Sequence, residues 1–451
     1  MDRREFMKKL FEKGKQAGMK EMEIYFQDSD NFDIKVFKGE IDNYSISNEI
    51  GVSFRGLYNG KMGYSYTEKI DETSIDILIK EAVENASVID SDDEENIQPP
   101  SENYKEVNNY NNSLNKVTPE EKINFIKSVE KEAFKLDNRV ISVQHCIFGE
   151  ESAHTMLVNT KELDLEEKSN IAYAYVSVMV KEGEDVKTGG SYIISNDFSK
   201  FDAKKLAKEA VDEAVSMLGA KSIESNEYPI VLRNDVAANL LEAFVPIFSA
   251  ENVQKDLSLL KGKIDKQIGN SIITVVDDPF MKNGVASASF DGEGVSTKYK
   301  KVIDKGILKT YLHNTKTAKK DGVESTGNAY KPSYKSPVSI APTNMYIEKG
   351  NITFNEIIES IDKGLLIINI QGLHAGLNTV SGDFSLSAYG YLIENGKIDR
   401  PVNQITIAGN FFELLKDIEM IGDDLRFTLP GGSGYIGSPT LKIKKLAVSG
   451  D

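Results

Sequence analysis

Cysteine is almost absent: Cys146 stands alone in 451 residues. One thiol cannot close an intrachain disulfide, and no zinc-finger spacing exists. Histidine is scarce as well, with His145, His154, His313 and His374 scattered over three regions without ligand spacing. Each reads as a surface or satisfied core residue and not as a metal ligand. No apolar run approaches the roughly 18 residues of a membrane helix, and the charged start has no apolar stretch behind it. Neither a membrane span nor a secretory leader is expected, and cytoplasm is the default location. Basic charge is also in short supply: 54 Lys and Arg against 70 Asp and Glu leave −16. Duplex-binding proteins carry a basic surface, so nucleic acid is not an expected partner.

What the chain does contain is ordinary globular material, 40% hydrophobic and 27% charged, over a length that calls for two or three domains. Residues 3–17 read as a helix with Phe6, Leu10 and Ala17 on one side and Gly18 as its stop. Strands follow at Met22 to Phe26, at Phe32, Ile34 and Val36, and at Val52 to Tyr58 and Met62 to Tyr66. The last two are joined through Asn59-Gly60, a two-residue hairpin signal. A helix from about Ser74 to Ser87 closes this unit. Thr118-Pro-Glu-Glu121 opens the next one, with Thr as N-cap, Pro at the first helical position and Glu three residues after the cap. Strands at Ile141 to Phe148, Thr155 to Val158, Ile171 to Val180 and Ser191 to Ile194 follow, and a helix over 203–218 repeats the order of the first unit. The closing helices even share wording, Lys80-Glu-Ala-Val against Lys208-Glu-Ala-Val.

Between the units, the acidic run Asp90 to Glu95, Pro99-Pro100 and an Asn-rich stretch read as a solvated linker. From about Asn226, a helix over Asp235 to Phe244, interrupted by Pro246, precedes closely spaced strands, with helices near 315–320, 355–362 and 411–418. The expected fold class is α+β. An N-terminal domain has two related helix–antiparallel strands–helix halves (1–88 and 118–222, with 89–117 as linker), and a mainly antiparallel β domain covers 226–451.

The stretch from Gly372 to Ile393 is the most distinctive. Phe384, Leu386, Ala388, Gly390 and Leu392 alternate with Ser385, Ser387, Tyr389 and Tyr391, as a strand with one buried face requires. Before it, Gly372, His374, Gly376, Asn378, Ser381, Gly382 and Asp383 form a glycine-rich polar loop. Its glycines let main chain approach another chain, so these seven residues are the candidate substrate or partner surface. The plainer alternative is a tight turn feeding a core strand. His374, Ser381 and Asp383 are the residue types of a hydrolase triad, but no strand-turn-helix elbow holds them, and hydrogen bonding within a loop is the expectation. Gly432-Ser-Gly-Tyr-Ile-Gly437 matches a dinucleotide fingerprint yet lacks a βαβ unit and reads as a turn. Asp277-Asp278 reads as the end of a strand before it reads as a cation site. No catalytic residue and no metal ligand is expected in this chain.

Four ordered motifs precede the central stretch: Val276-Asp-Asp-Pro279, Phe290-Asp-Gly-Glu-Gly294, Gly306-Ile-Leu-Lys-Thr-Tyr-Leu312 and Ser325-Thr-Gly-Asn328. It is followed by Ile405-Thr-Ile-Ala-Gly-Asn410 and Ile421-Gly-Asp-Asp-Leu425. This series resembles the PmbA/TldE branch of the TldD/PmbA (TldE) family over nearly the whole chain. In the TldD-like branch the resemblance implies a zinc metalloprotease, with His-Glu-x-x-x-His on a helix and a Cys near the C-terminus. That spacing presents two imidazoles to one metal and a carboxylate to its bound water. Here the matching segment is Leu240-Leu-Glu-Ala-Phe-Val-Pro-Ile247, without His, and the C-terminal Cys is missing. The resemblance therefore implies no cofactor in this chain and zinc in a TldD-like partner. It implies a heterodimer with that partner or a homodimer, and small or unfolded peptides as substrates. The branch's older label, modulator of DNA gyrase, implies the alternative of a regulatory binding protein without proteolysis.

Overall fold

The computed structural model describes residues 2–90, 93, 95–429 and 434–451. Its first half is a single sheet. Strands β1 (Met22–Phe37), β2 (Glu40–Tyr58), β3 (Lys61–Thr67), β4 (Val140–Asn159), β5 (Asp164–Glu182) and β6 (Asp185–Ser195) stand in the order β3-β2-β1-β4-β5-β6, all antiparallel. The two halves thus meet where β1 pairs β4. Helices α1 (Arg3–Gln16) and α2 (Glu72–Ser87) cover Ile24, Phe26, Val52 and Phe54 toward one end of β1 and β4. Helices α3 (Pro119–Leu136) and α4 (Ala203–Ser216) cover Phe32, Ile34, Phe148 and Val176 toward the other.

The shared wording of the closing helices has a packing origin. A Cβ on Gly63 of β3 would lie 1.9 Å from the Ala82 carbonyl oxygen of α2, and one on Gly189 of β6 would lie 2.4 Å from that of Ala210 of α4. Ala82 and Ala210 hold the same place in the echoed Lys-Glu-Ala-Val, so each half seats its closing helix directly on a glycine of its outer strand. Cys146 is buried on β4 in the core under α3 and α4, and burial pushes its thiol up to about 12, so it is a packing residue.

Several strands run longer than the sequence pattern indicates. β1 and β4 continue unbroken through polar residues such as Asp28, Asp30, Glu150 and Glu151, because those residues cross the gap between the two helix pairs. The stretch expected to be a solvated linker is instead a packed strap. Ile97 and Leu114 are fully buried, Tyr104 Oη donates to the Gly294 carbonyl at 2.8 Å, and Lys316 reaches Glu95 at 3.0 Å. Such widely spaced anchors leave no period to read. Asp92 and Glu94 of its acidic run lie outside the described residues.

The second half opens with β7 (Asn226–Leu232), α5 (Asn234–Phe244) and α6 (Ala250–Gln254), then β8 (Val275–Asp277), β9 (Lys300–Asp304), β10 (Ile307–Leu308) and α7 (Thr315–Asp321). It continues with β11 (Ala329–Tyr330), β12 (Ser339–Ile340), β13 (Asn344–Ile347), α8 (Phe354–Glu359), β14 (Lys363–Gln371), β15 (Asp383–Glu394) and β16 (Lys397–Asn410). It ends with α9 (Phe411–Asp417), β17 (Ile418–Ile421), β18 (Arg426–Phe427), β19 (Tyr435–Ser438) and β20 (Leu441–Ser449). One sheet runs β16-β15-β14-β7-β20-β17, and Thr406–Ala408 of β16 also pairs Ser449–Ala447 of β20. Five strands therefore close on themselves, which removes their free edges. A second sheet, β10-β9-β8-β13-β19-β18, packs beside it around α5, whose Phe244 stacks on Phe411 at 4.4 Å. Pairing is antiparallel except β14 with β7 and β13 with β19. The fold class is α+β, with a β-rich C-terminal half.

The face of the first sheet away from its helices rests on this second half. Arg55 bonds Glu23 at 2.7 Å and reaches Glu293 at 3.3 Å, all three buried, while Glu293 accepts the Thr315 N–H at 2.8 Å. Tyr64 and Tyr192 donate across the same junction to the carbonyls of Ser336 and Phe427. Among the described residues, no helix is long and apolar enough to cross a membrane.

Candidate functional site

The loop singled out by its glycines connects β14 to β15. Alternation in β15 is as the sequence requires: Phe384, Leu386, Ala388 and Leu392 are buried, and Ser385 and Ser387 are exposed. Both edges of β15 are occupied, by β14 and β16, so it offers no edge to a peptide. The loop is tied to itself. Asn378 Oδ1 accepts the N–H groups of Val380 and Ser381 at 2.9 and 3.1 Å, and the Gly382 N–H donates to the Asn378 carbonyl at 2.8 Å. Ser381 Oγ donates to Asp383 at 2.8 Å, and Asn410 Nδ2 donates to both Asp383 Oδ1 and the Ser381 carbonyl at 2.8 Å. Those bonds hold the exposed Asp383 carboxyl below its usual range.

Asn378, Ser381, Gly382 and Asp383 are thus brought together. His374 is exposed, and no hydrogen bond joins it to them among the described residues. A serine that gives its proton to a carboxylate held by asparagine lacks the imidazole base of a triad. The glycines divide by role. A Cβ on Gly376 would stand 2.4 Å from the Ser385 carbonyl, so its bareness serves the chain's own strand. Gly372, with φ +89° and nothing within 4 Å of a built Cβ, faces open space.

Beside this loop lies a groove of about 740 Å³. Ser381, Asn410 and Phe412 form one wall, and Leu259, Leu260 and Ile268 the other. Leu259 is 54% exposed. Lys263 and Lys266 line the rim and make no ion pair among the described residues, whereas Lys416 pairs with Glu413 at 2.8 Å. An apolar floor under two uncommitted ammonium groups can hold an apolar segment bearing a carboxylate. Sequence reading missed this wall, because residues 255–273 lack regular structure and carry no periodicity.

A second cavity, of about 260 Å³, lies where the first sheet meets the second half. Glu167 of β5 and Lys331 both line it. Burial pushes the Glu167 carboxyl up to about 7, and burial beside Arg55 pulls the Lys331 ammonium down to about 7. Lys331 Nζ donates to the Ser336 carbonyl at 2.8 Å and lies over the rings of Tyr64 and Tyr25. Two groups that exchange protons near neutrality suit a polar ligand site. Neither stood out in the sequence, where Glu167 is one charge among several.

The segment that the resemblance sets against the zinc helix of TldD-like proteins, Leu240 to Ile247, begins within α5. That helix carries no imidazole, ends at Phe244, and passes into a short 3-10 turn containing Pro246. Glu242, its carboxylate in that segment, stands 3.4 Å from Thr428 Oγ1. Among the described residues, no group of three His, Cys, Asp or Glu side chains could hold a metal ion. Asp277 is fully committed: it accepts from Thr343 N and Oγ1, Asn328 Nδ2 and Lys300 Nζ at 2.6–2.9 Å. His154 pairs with Glu166 at 2.7 Å, and burial lowers the affinity of His313 for a proton. Among the described residues, α5 offers carboxylates and none of the imidazole donors that the resemblance assigns to the zinc of TldD-like proteins. Gly432 and Ser433 of the apparent dinucleotide fingerprint lie outside the described residues, and its remainder leads through β19 into β20, not into a helix.

Three family models match in sequence along the chain: PmbA/TldA metallopeptidase domain 1 over residues 22–86, the central domain over 112–218 and the C-terminal domain over 225–450. An uncharacterized protein of Methanocaldococcus jannaschii is 30% identical, covering 92% of this chain and 95% of that one. The metalloprotease TldD homolog of Buchnera aphidicola from Schizaphis graminum is 30% identical, covering 89% and 86%. Among solved structures, a Thermotoga maritima protein described as a candidate modulator of a DNA gyrase superposes with TM-score 0.91 at 33% identity, covering 99% of this chain and 100% of that one. TldE from Thermococcus kodakarensis shares the fold, with TM-score 0.89 at 23% identity over 99% and 100%. Model matches along nearly the whole chain, together with these relatives, establish that the chain belongs to the PmbA/TldD metallopeptidase family.

Proposed function

We propose that this chain is the TldE-like, zinc-free subunit of a cytoplasmic metalloprotease that degrades small or unfolded peptides. In this reading a TldD-like partner supplies the zinc, and this chain completes the chamber in which the peptide is held. The observation that carries the reading is the chemistry of α5: a family defined by a metallopeptidase activity, and at the zinc helix no imidazole, with Pro246 in place of a further helical turn. The loop of Gly372, His374, Gly376, Asn378, Ser381, Gly382 and Asp383, with the groove beside it, is the surface offered to peptide or partner. Its apolar floor and free Lys263 and Lys266 suit an apolar peptide segment ending in a carboxylate. The description of the Thermotoga relative favours a second reading, a regulatory protein that binds without cleaving. Metal analysis of protein purified without a histidine tag tests the first. We expect far less than one zinc per chain. About one zinc per chain that survives mild chelation would contradict it.

A further inference from the structure

The cavity of about 260 Å³ under the first sheet is lined by two opposite charges, Glu167 and Lys331, that make no ion pair with each other among the described residues. The ladder between β4 and β5 sets Thr155 opposite Glu167, with Ser169 two residues further along. All three therefore lie on the face turned away from the helices, opposite in parity to Phe148 and Ala172. Among the described residues Glu167 accepts no hydrogen bond, and the hydroxyls of Thr155 and Ser169 have no partner. The fold does satisfy the other carboxylate in this wall: Asp291 accepts the N–H groups of Glu293, Val295 and Ala329 at 2.9–3.0 Å. A half-buried carboxylate without donors is costly unless something else supplies them. Lys331 Nζ gives one N–H to the Ser336 carbonyl at 2.8 Å and one to Tyr64 Oη at 3.2 Å, so as an ammonium it keeps a third. Tyr25 links the two charges. Its ring lies 5.1 Å from Lys331 Nζ, and Glu167 is near enough to raise its phenol.

We propose that this cavity is a binding site for one free apolar amino acid, its α-ammonium on Glu167 and its carboxylate on Lys331. The three N–H groups of an ammonium match the Glu167 carboxylate and the two hydroxyls beside it, and the charge assists each bond. The carboxylate takes the remaining Lys331 donor. Val285, Ala288 and Phe290 in the same wall offer apolar contact to the side chain. Size limits the ligand. At roughly 30 Å³ per water-sized unit the space takes on the order of nine non-hydrogen atoms, the size of one leucine and too small for a peptide of several residues. The cavity shares no lining residue with the groove beside Ser381 and none with α5, so it is distinct from the surface offered to peptide above. Peptide breakdown frees such zwitterions, and a chain that takes part in it would sense product here. The binding itself does not depend on that reading.

Isothermal titration of the full, untagged chain with L-leucine, L-methionine and L-phenylalanine is the test. Two leucine analogues that each lack one charge, 3-methylbutan-1-amine and 4-methylpentanoate, are titrated beside them. At least one amino acid is expected to bind at one site per chain with Kd below about 1 mM, and each analogue at least about tenfold more weakly than leucine. Glu167→Gln keeps the shape and removes the charge, and should weaken amino-acid binding at least about tenfold with an unchanged circular dichroism spectrum. Lys331→Met should weaken it as well but spare the amine, which brings no carboxylate. The Glu167→Gln comparison stands by itself if Lys331→Met fails to fold. No saturable binding of any of the three amino acids up to about 10 mM would overturn the assignment. So would binding indifferent to Glu167→Gln, or an amine that binds as tightly as leucine. Each of these results leaves the zinc-free reading of the chain untouched, since no metal and no partner enters the titration.

Discussion

Gly376 shows how a residue can be distinctive in sequence for a reason internal to the fold. Its position invites the reading of a place where another chain approaches, but the backbone that approaches it is that of Ser385 in its own β15, and the Ser385 N–H also donates to its carbonyl at 2.7 Å. Gly376→Val is therefore expected to destabilise the protein by about 1–3 kcal/mol through overpacking against main chain, seen as a lower urea midpoint. An unchanged midpoint would mean the loop opens freely. Glu167 had no such visibility, since what sets it apart is the cavity it faces. Its carboxyl is raised from 4.5 to about 7 in the folded chain. Its contribution is thus fully present below about pH 4.5 and is lost as pH rises through 7. Glu167→Gln should be more stable than wild type at pH 8, by about 1–3 kcal/mol, with the gap closing near pH 4.5. Denaturant titrations at both pH values would show it, and a constant gap would refute the assignment.

Elements were legible where chemistry is local. Thr118 Oγ1 accepts the Glu121 N–H at 3.2 Å, and the Glu121 carboxylate returns to the Thr118 N–H at 2.8 Å, the reciprocal box that the four letters spell. Thr118→Ala should cost about 1 kcal/mol with an unchanged denaturant slope, and a loss well below that would show that tertiary packing alone holds the start of α3. Strands were legible only where a helix pair covers them, because burial is what imposes alternation. The first half of β2, Glu40 to Asn48, is mostly exposed and its letters assign it to no element, yet it is a continuous part of the sheet. The polar middles of β1 and β4 hid their continuity for the same reason. Gly63 and Gly189 explain the echo between α2 and α4, which the letters alone could only suggest.

At the scale of the molecule, the α+β class and the repeated halves followed from the order of elements. The closure of the C-terminal strands did not, since β16 and β20 pair across a long sequence separation that no local pattern records. The family was legible from its ordered motifs, and the absence of imidazole from α5 was legible from its letters. The groove by Ser381 and the cavity by Glu167 were not, because each is built from segments brought together only by folding. The division of labour proposed between this chain and a zinc-bearing one is tested most directly by peptide cleavage with three preparations: this chain alone, a TldD-like chain alone, and the two co-expressed. Cleavage of an unfolded peptide is expected from the co-expressed pair, lost on chelation, and absent from this chain alone. Zinc-dependent cleavage by this chain alone, or a pair no more active than the TldD-like chain by itself, would contradict it.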